Sequence, residues 1–435
     1  MQVLGARAAG LPNGDYLLGD ELDATSGQIY LTGTQAIARL LLDQARSDAA
    51  RGLKTAGFAS GYRGSPLGGV DQQLWSVAAR LKAQRIEFLP AINEELAATA
   101  VLGTQRVEAD PRREVDAVFG LWYGKGPGVD RAGDALRHGN AYGSSANGGV
   151  IAVIGDDHGC VSSSMSAQSE FSLMAWGLPI VNPANVAEML SFGRYGWALS
   201  RFSGAWVALK AISETVESGS TVDLDELEGD WSAPLDYQSP AGGLHMRWPD
   251  LPSLAIEVRL AAKLDAARYF AARRSIDRSI CASPQANVGI VTCGKAHLDL
   301  MEVFRRLGIS IAELDAAGVR IYKVGLSFPL EMGRIDEFVS GLREVLVVEE
   351  KGPVVEGQIK EHLYNRGAGS AGDRPAAAGD RPSVIGKTDA LGAPLISGLG
   401  ELRPSRLLPI VAQWLAQHVP QLDRREQVVD FVAPP

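Results

Sequence analysis

The stretch Gly149-Val150-Ile151-Ala152-Val153-Ile154-Gly155-Asp156-Asp157 decides the fold class of this chain. Its first seven residues carry no polar side chain, which is typical of a strand buried on both faces of a parallel sheet. We expect helices between this strand and further short apolar strands at 56–62, 86–92, 115–122 and 206–212. The alternation predicts an α/β fold with a parallel sheet covered on both faces.

The order of predicted elements also gives the domain organisation. At about 150 residues per domain, a chain of 435 residues predicts two or three domains. A second α/β unit is expected because strands and helices alternate again after residue 287. The predicted boundaries are an arm (1–28), a first α/β domain (29–215), a connector (216–285), a second α/β domain (286–365), and a linker with a C-terminal segment (366–435). The linker carries a repeat, Ala-Gly-Asp-Arg-Pro, at 371–375 and 378–382.

Composition excludes several classes of protein. The chain is 46% hydrophobic and 21% charged, as in globular proteins, and its net charge of -9 argues against nucleic-acid and anionic membrane surfaces. No signal-like N-terminus is visible and no apolar stretch reaches ~18 residues, so we expect no membrane span. The few cysteines form no Cys-x-x-Cys pair, which argues against a zinc or iron–sulfur site and fits a reducing cytoplasm: Cys160, Cys281 and Cys293.

Glu94 lies where the predicted strand at 86–92 meets an Ala-rich predicted helix. A carboxyl at such a junction is partly desolvated, which favours its protonated form and suits proton relay. The same position suits a plain helix cap formed by Asn93 or Glu94. The residues by themselves favour the cap, and the neighbouring motifs favour the relay.

Two glycine-rich loops follow predicted strands. In Gly61-Tyr62-Arg63-Gly64-Ser65-Pro66, glycine lets the backbone approach a ligand and serine offers a hydroxyl, although a plain turn fits equally well. In Gly124-Lys125-Gly126-Pro127-Gly128 the spacing of a P-loop is missing, so we expect at most a flexible loop with Lys125 near a substrate carboxylate. No Gly-x-Gly-x-x-Gly follows a strand, which argues against a nicotinamide site.

Three further groups carry alternatives. Asp156-Asp157-His158 resembles a fragment of a metal site, but sequential carboxylates rarely face one ion, so no metal site is expected. His158 and Cys160 would suit a base and a nucleophile, but a Ser-rich loop is the favoured interpretation. Glu349-Glu350 ends a predicted strand and fits either a solvated rim pair or a pair that faces another subunit.

Taken in order, five motifs over roughly residues 30–410 make the chain resemble the thiamine-diphosphate-dependent 2-oxoacid:ferredoxin oxidoreductases, in particular the alpha part of the indolepyruvate enzymes. Arg63 and Ser65 stand where the family has Pro and Thr, and Thr34-Gln35 stand where it has Asn-Glu. The motifs are Leu31–Arg39, Tyr62–Leu67, Asn93-Glu94 with Gly103, Asp156-Asp157 with Ser162-Ser163, and Leu346–Glu350.

The resemblance implies a fold and a set of site residues. The first domain would be a pyrimidine-binding thiamine-diphosphate domain and the second a transketolase C-terminal-like α/β domain. Glu94 would hydrogen-bond the pyrimidine ring nitrogen and so assist removal of the thiazolium proton. Further cofactor contacts would come from Asn93, Gly64, Ser65 and Pro66, and substrate contacts from Arg63 and Lys125.

The resemblance also implies partners. The family holds the cofactor's diphosphate and magnesium with a Gly-Asp-Gly motif, which does not occur here. Thiamine diphosphate would therefore be shared with a diphosphate-binding partner domain or subunit, and magnesium and iron–sulfur clusters would lie on other domains. The expected reaction is oxidative decarboxylation of a 2-oxoacid, indolepyruvate or another aryl pyruvate, to an acyl-coenzyme A, with electrons passing to a ferredoxin-like acceptor in an oligomer.

Two other functions stay open at this point. One is the subunit of a non-oxidative thiamine-diphosphate decarboxylase or transferase. The other is an assembly module without turnover of its own.

Overall fold

The structure is a computed structural model that describes residues 17–227, 229, 231–250, 252–364 and 381–428. These residues divide at Ser275–Ile276 into two compact units. The first unit contains α1 (Asp20–Asp23), β1 (Gln28–Thr32), α2 (Gly33–Ala50), β2 (Ala56–Gly61), α3 (Val70–Ser76), α4 (Ala78–Ala83), β3 (Ile86–Phe88), α5 (Glu94–Thr104), β4 (Val118–Lys125), α6 (Gly126–Arg131), α7 (Gly133–Tyr142), β5 (Val150–Gly155), α8 (Glu170–Ala175), β6 (Ile180–Val181), α9 (Val186–Ser203), β7 (Trp206–Lys210), α10 (Ser213–Val216), β8 (Gly219–Asp223) and α11 (Leu254–Arg273).

The second unit contains β9 (Arg278–Ala282), β10 (Val288–Cys293), α12 (Lys295–Arg306), α13 (Ile311–Ala316), β11 (Val319–Val324), β12 (Leu326–Phe328), α14 (Met332–Val339), β13 (Glu344–Val348), α15 (Val354–Tyr364), β14 (Ser383–Ile385) and α16 (Pro404–His418). Among the helices that the structure describes, none has both the length and the apolar character needed to cross a lipid bilayer.

Six strands of the first unit lie side by side in the order β6-β7-β5-β4-β2-β3, and every neighbouring pair is parallel. All residues of β5 and β7 are buried, because helices such as α5 and α9 pack on this sheet. The register pairs Gly120 with Val150 and Lys125 with Gly155, so β4 and β5 end level with each other. The predicted α/β class with a covered parallel sheet is confirmed.

Strand β4 begins and ends about three residues later than the strand predicted at 115–122. Gly124 and Lys125 therefore belong to the strand, and Pro127 lies in the first turn of the helix that follows it. Proline fits there because the first helical residues need no backbone N–H donor. The helix predicted at 130–142 is likewise two helices, α6 and α7, which meet at Ala132.

Much of the stretch expected to be a connector, 216–285, packs within the first unit. Strand β8 pairs antiparallel with β1, so that Gln28 lies opposite Asp223. Helix α11 packs against α9 and α7, and its Ala266, Ala267 and Phe270 are fully buried. The acidic, Pro-containing residues around these elements hid the helical period of α11 from the sequence pattern.

The second unit has a five-stranded sheet in the order β14-β13-β10-β11-β9. Its strands are parallel except β9, which runs antiparallel to β11. The C-terminal stretch expected to be a linker supplies β14 and also α16, which buries Leu407, Leu408 and Val411 against α12. Residues 365–380, which contain most of the predicted linker and most of its repeat, lie outside the described residues.

Glu349, at the end of β13, is neither solvated nor at a rim, because only 2% of its surface is exposed. Its carboxylate accepts hydrogen bonds from the backbone N–H groups of Val354 (3.1 Å), Val355 (2.9 Å) and Glu356 (2.9 Å), which start helix α15. Burial raises the pKa of Glu349 to about 7, although these N–H donors lower it. Glu350 is also enclosed and accepts from the backbone of Leu402.

We predict that Glu349 makes the stability of the second unit pH-dependent. An unfolded glutamate titrates at its ordinary pKa of 4.5, whereas the folded carboxyl titrates near 7, so the folded state keeps a proton that the unfolded state has lost. The free energy of unfolding therefore falls as pH rises through this window, by up to roughly 3 kcal/mol for 2.5 pKa units. Urea unfolding between pH 4.5 and 7.5 should show this loss in the native chain and not in Glu349→Gln.

The control is Glu361→Gln, which removes an exposed carboxyl from the same helix, α15. This variant should keep the native pH profile. Parallel profiles for the native chain and Glu349→Gln would show that the buried carboxyl does not titrate in this range.

Candidate functional site

The carboxyl ends of the six parallel strands lie at one edge of the first unit's sheet, which we call the strand-end edge. Ligands of parallel α/β sheets bind at such edges. Five parts of the chain reach this edge. They are the loop 62–66 after β2, the start of α5 after β3, residues 125–131 at and after the end of β4, residues 156–170 after β5, and Lys210 at the end of β7.

Asn93 is the N-cap of helix α5. Its side-chain oxygen accepts a hydrogen bond from the backbone N–H of Leu96 at 2.8 Å, so the cap considered from the sequence exists and Asn93 forms it. Glu94 is the first residue of the helix, and its own carbonyl accepts from Trp122 Nε1 at 3.0 Å. The backbone of Glu94 is therefore fixed from both the helix and strand β4.

The carboxylate of Glu94 lies against bare backbone. Its side chain is 13% exposed, and its Oε1 is so close to Gly128 that a Cβ added there would lie 2.5 Å away. Arg131 Nε is 4.0 Å from Oε2, too far for a hydrogen bond. Within the described residues, no group donates a hydrogen bond to this carboxylate. It is thus positioned but not satisfied.

The loop 62–66 lies beside the end of β4. A Cβ added at Gly64 would lie 3.2 Å from Lys125 Cδ, so the glycine lets the loop pack on the lysine stem. Ser65 Oγ donates to Glu217 at 3.4 Å and Pro66 is buried, whereas the guanidinium of Arg63 is exposed.

Lys125 is the last residue of β4. The prediction that it lies in a flexible loop is therefore wrong. Its Nζ donates to the carbonyl of Ser162 at 2.9 Å, which ties the end of β4 to the loop after β5. Lys125 also packs on Gly64. Three residues further along the backbone, Gly128 lies against the carboxylate of Glu94. Of the residues predicted from the sequence, Glu94 and Gly64 therefore both pack on the segment 125–131, to which Lys125 belongs.

A buried charge cluster lies under this edge and was missed by the sequence reasoning. Lys210 Nζ forms an ion pair with Glu170 and lies 3.5 Å from Asp156 Oδ2, and none of the three is more than 5% exposed. Asp156 also accepts from the backbone and the hydroxyl of Ser169 at 2.9 and 2.6 Å. Burial raises the pKa of Glu170, although the charge of Lys210 lowers it. The only sequence signal was a lysine that ends a buried strand.

A second buried pair joins β4 to α3. Tyr123 donates a hydrogen bond to Asp71, and both side chains are almost fully buried. Burial raises the pKa of Tyr123, and its hydrogen bond to Asp71 raises it further. No motif marked this pair, because its members are 52 residues apart.

Asp157, in the Asp156-Asp157-His158 stretch, is engaged by its own loop. Asp157 accepts hydrogen bonds from the backbone N–H groups of Val161 at 3.0 Å and Ser162 at 2.9 Å, which closes the loop after β5. The Sγ of Cys160 donates to the carbonyl of Ser163 at 2.7 Å. In the part of the chain that the structure describes, no three His, Cys, Asp or Glu residues are arranged to hold a metal ion.

The fold has a counterpart among solved structures of 2-oxoacid oxidoreductases. The 2-oxoglutarate:ferredoxin oxidoreductase from Magnetococcus marinus, solved with 2-oxoglutarate, coenzyme A and succinyl-CoA bound, aligns with a TM-score of 0.57 and 16% sequence identity. The alignment covers 89% of this chain and 65% of that chain. This similarity confirms the α/β fold class that the resemblance implied.

Sequence comparison shows similarity to one group of these oxidoreductases, the indolepyruvate enzymes. Residues 278–401 match the indolepyruvate oxidoreductase domain. Indolepyruvate oxidoreductase subunit IorA of Methanothermobacter thermautotrophicus is 24% identical over 345 residues, which are 79% of this chain and 50% of that protein. The IorA subunit of Pyrococcus abyssi is 23% identical over 426 residues, 95% of this chain and 57% of that protein. The chain thus spans about half the length of these relatives, and its similarity to the alpha part of indolepyruvate oxidoreductase is confirmed.

We predict that Gly128→Ala displaces the Glu94 side chain. The new Cβ would lie 2.5 Å from Oε1 and 2.6 Å from Cγ, which no real contact allows, so the side chain must turn away. A crystal structure of the variant should show a changed Glu94 rotamer on an unchanged backbone.

Gly103→Ala is the matched control, because it lies in helix α5 with Glu94 and its added Cβ would have nothing within 4 Å. It should raise stability by about 0.5–1 kcal/mol, as alanine does in a helix, and leave Glu94 in place. If Gly128→Ala gave the same gain with an unmoved Glu94, the close packing described here would be wrong.

Proposed function

We propose that this chain is the pyrimidine-side part of a thiamine-diphosphate-dependent 2-oxoacid oxidoreductase that acts on indolepyruvate or another aryl pyruvate. The observation that carries the proposal is the Glu94 carboxylate, which is held at the strand-end edge and accepts no hydrogen bond within the described residues. The names of the relatives and the 2-oxoacid bound in the structural neighbour support the choice of substrate class.

The residues at the edge fit the pyrimidine end of the cofactor. A positioned carboxyl group can hydrogen-bond a ring nitrogen, and the bare backbone at Gly128 lets the Glu94 carboxylate lie at this edge. Asn93 fixes the helix start that carries Glu94, and the loop residues Gly64, Ser65 and Pro66 form the adjoining wall. When bound, thiamine diphosphate supplies the carbon nucleophile and the electron sink for decarboxylation.

Glu94 would hold the proton that is exchanged with the pyrimidine nitrogen, which is the general acid–base role proposed for this chain. The substrate carboxylate would meet the cations beside the same edge. Arg63 is exposed, and Lys125 donates to the carbonyl and the hydroxyl of Ser162 at 2.9 and 3.5 Å, which leaves one of its three N–H donors for a ligand.

The remaining parts of the reaction would come from partners. A diphosphate-binding domain or subunit would hold the magnesium, and iron–sulfur clusters on other domains would take the electrons to a ferredoxin-like acceptor. Coenzyme A would receive the acyl group there. The three cysteines form no disulfide and are scattered along the chain, which supports a cytoplasmic location and clusters held elsewhere.

We predict that Glu94→Gln, in the protein assembled with its diphosphate-binding partner, loses activation of the thiazolium carbon. The amide keeps the shape of the carboxyl group but cannot exchange its proton, and a general acid–base group contributes about 10²–10⁴-fold in rate. Proton–deuterium exchange at the thiazolium carbon measures this step separately from electron transfer.

Glu95→Gln is the control, since its exposed side chain points roughly 100° around the helix from Glu94. It should exchange at the native rate, and Gly128→Ala should behave like Glu94→Gln. Native exchange in Glu94→Gln would refute the assignment, and a loss only in Glu95→Gln would move it by one residue.

Exposed apolar residues flank Glu94 in the chain. Leu89 is 54% exposed, Ile92 is 82% exposed and Leu96 is 48% exposed, and all three lie between the end of β3 and the first turn of α5. Clustered apolar groups at a ligand edge are typical of surfaces that a partner covers. We therefore infer that the diphosphate-binding partner docks here.

We predict that Ile92→Asp weakens association with the diphosphate-binding domain, because a buried unpaired charge is costly at an interface. Light scattering of the mixed components should show the complex with the native chain and a smaller fraction with the variant. Leu254→Asp alters a residue that is 73% exposed at the start of α11 and should associate normally. Equal loss in both variants, or in neither, would contradict the proposed docking surface.

A further inference from the structure

A cavity of about 390 Å³ lies in the first unit, away from the strand-end edge. Its lining comes from the C-terminal halves of α2 and α9, from Leu53 and Asn147, and from residues 229 and 231–233. Leu53 precedes β2 and Asn147 precedes β5, so the cavity is at the amino ends of the parallel strands. The role proposed for Glu94 therefore does not use it.

The charged groups in the cavity lining are three arginines and one aspartate. Asp43 is already neutralised by Arg39 at 3.2 Å and Arg46 at 2.5 Å, outside the lining. Arg201 is also satisfied, because both of its Nη atoms reach Asp48, at 2.6 and 2.8 Å. The charge that is left in the cavity comes from the other two arginines.

Arg194 is partly buried on α9, and within the described ranges nothing accepts a hydrogen bond or forms an ion pair with it. Arg51 donates hydrogen bonds from Nε to the carbonyl of Ser47 and from Nη2 to Asp48, and no described residue accepts from its Nη1. Among the described residues that line the cavity, three arginines therefore stand against one aspartate.

The other wall of the cavity is aromatic. Phe202 and Trp231 line it, and Trp231 is held edge-on to Tyr195 with 5.2 Å between ring centroids. A ligand with both an anionic end and a flat ring would use both walls.

We propose that this cavity binds a small organic phosphate that carries a planar ring, of the nucleoside monophosphate class. The phosphate would lie on Arg194 and Arg51, because guanidinium groups match phosphate oxygens with paired N–H donors. The ring would lie against Phe202 and Trp231. A volume of about 390 Å³ is within the range of small-molecule sites.

Calorimetric titration of the full chain at low salt with adenosine monophosphate, adenosine and inorganic phosphate tests the proposal. The native chain should bind adenosine monophosphate more tightly than either part of it. Arg194→Gln should weaken this binding about 10–100-fold, as expected for a lost charged hydrogen bond.

The matched control is Arg268→Gln, which removes the same charge from an exposed arginine on α11 that pairs with Asp265 at 2.9 Å. It should bind adenosine monophosphate like the native chain. The proposal is overturned if the native chain binds none of the three, if inorganic phosphate binds as tightly as the nucleotide, or if Arg194→Gln keeps native affinity.

Discussion

Six strands that run in one direction bring their carboxyl ends to a single edge of the first unit's sheet. Such a sheet must be covered on both faces, so polar groups can gather only where the strands stop. Lys125 and Gly155 end adjacent strands in register, and Lys210 ends the next strand. The position of every candidate residue follows from this common direction.

Close packing at the edge depends on glycines whose neighbours leave no room for a side chain. A Cβ at Gly61 would lie 2.3 Å from the carbonyl oxygen of Tyr123, and a Cβ at Gly126 would lie 2.3 Å from the Cβ of Ala167. The loops after β2 and β4 therefore rest directly on neighbouring backbone and side chains. This is how residues that are distant in sequence come to surround the segment 125–131.

The apolar runs predicted the strands well because burial on both faces leaves a strong local signal. Strand β5 is the example, since the predicted run at 149–155 and the observed Val150–Gly155 nearly coincide. Strand ends were less predictable, as β4 shows, because a Gly-rich sequence does not reveal whether Gly124 and Lys125 continue the pairing. The helix start at Asn93-Glu94 was predictable from its residues, because capping is a local interaction.

Interactions across long sequence distances had no such signal. Glu349 was expected at a solvated rim or a subunit face, but its carboxylate accepts hydrogen bonds from the backbone N–H groups of the next helix, a contact that depends on how the chain turns after β13. Lys210, Glu170 and Asp156 come from three separate segments, and only the sheet order brings them together. The packing of α11 on α9 was hidden for the same reason.

The buried charges also explain why Glu94 is distinctive at the edge. Asp71 accepts from Tyr123, Asp157 closes its own loop, and Asp156 and Glu170 share Lys210. Each of these carboxyl groups is engaged by the fold that surrounds it, as buried polar groups must be. Glu94 is held as firmly through its backbone, by the helix start and by Trp122, yet within the described residues its carboxylate receives no hydrogen bond. A carboxyl group that the fold positions without satisfying is available to a ligand, and this difference separates Glu94 from the four enclosed acids Asp71, Asp156, Asp157 and Glu170.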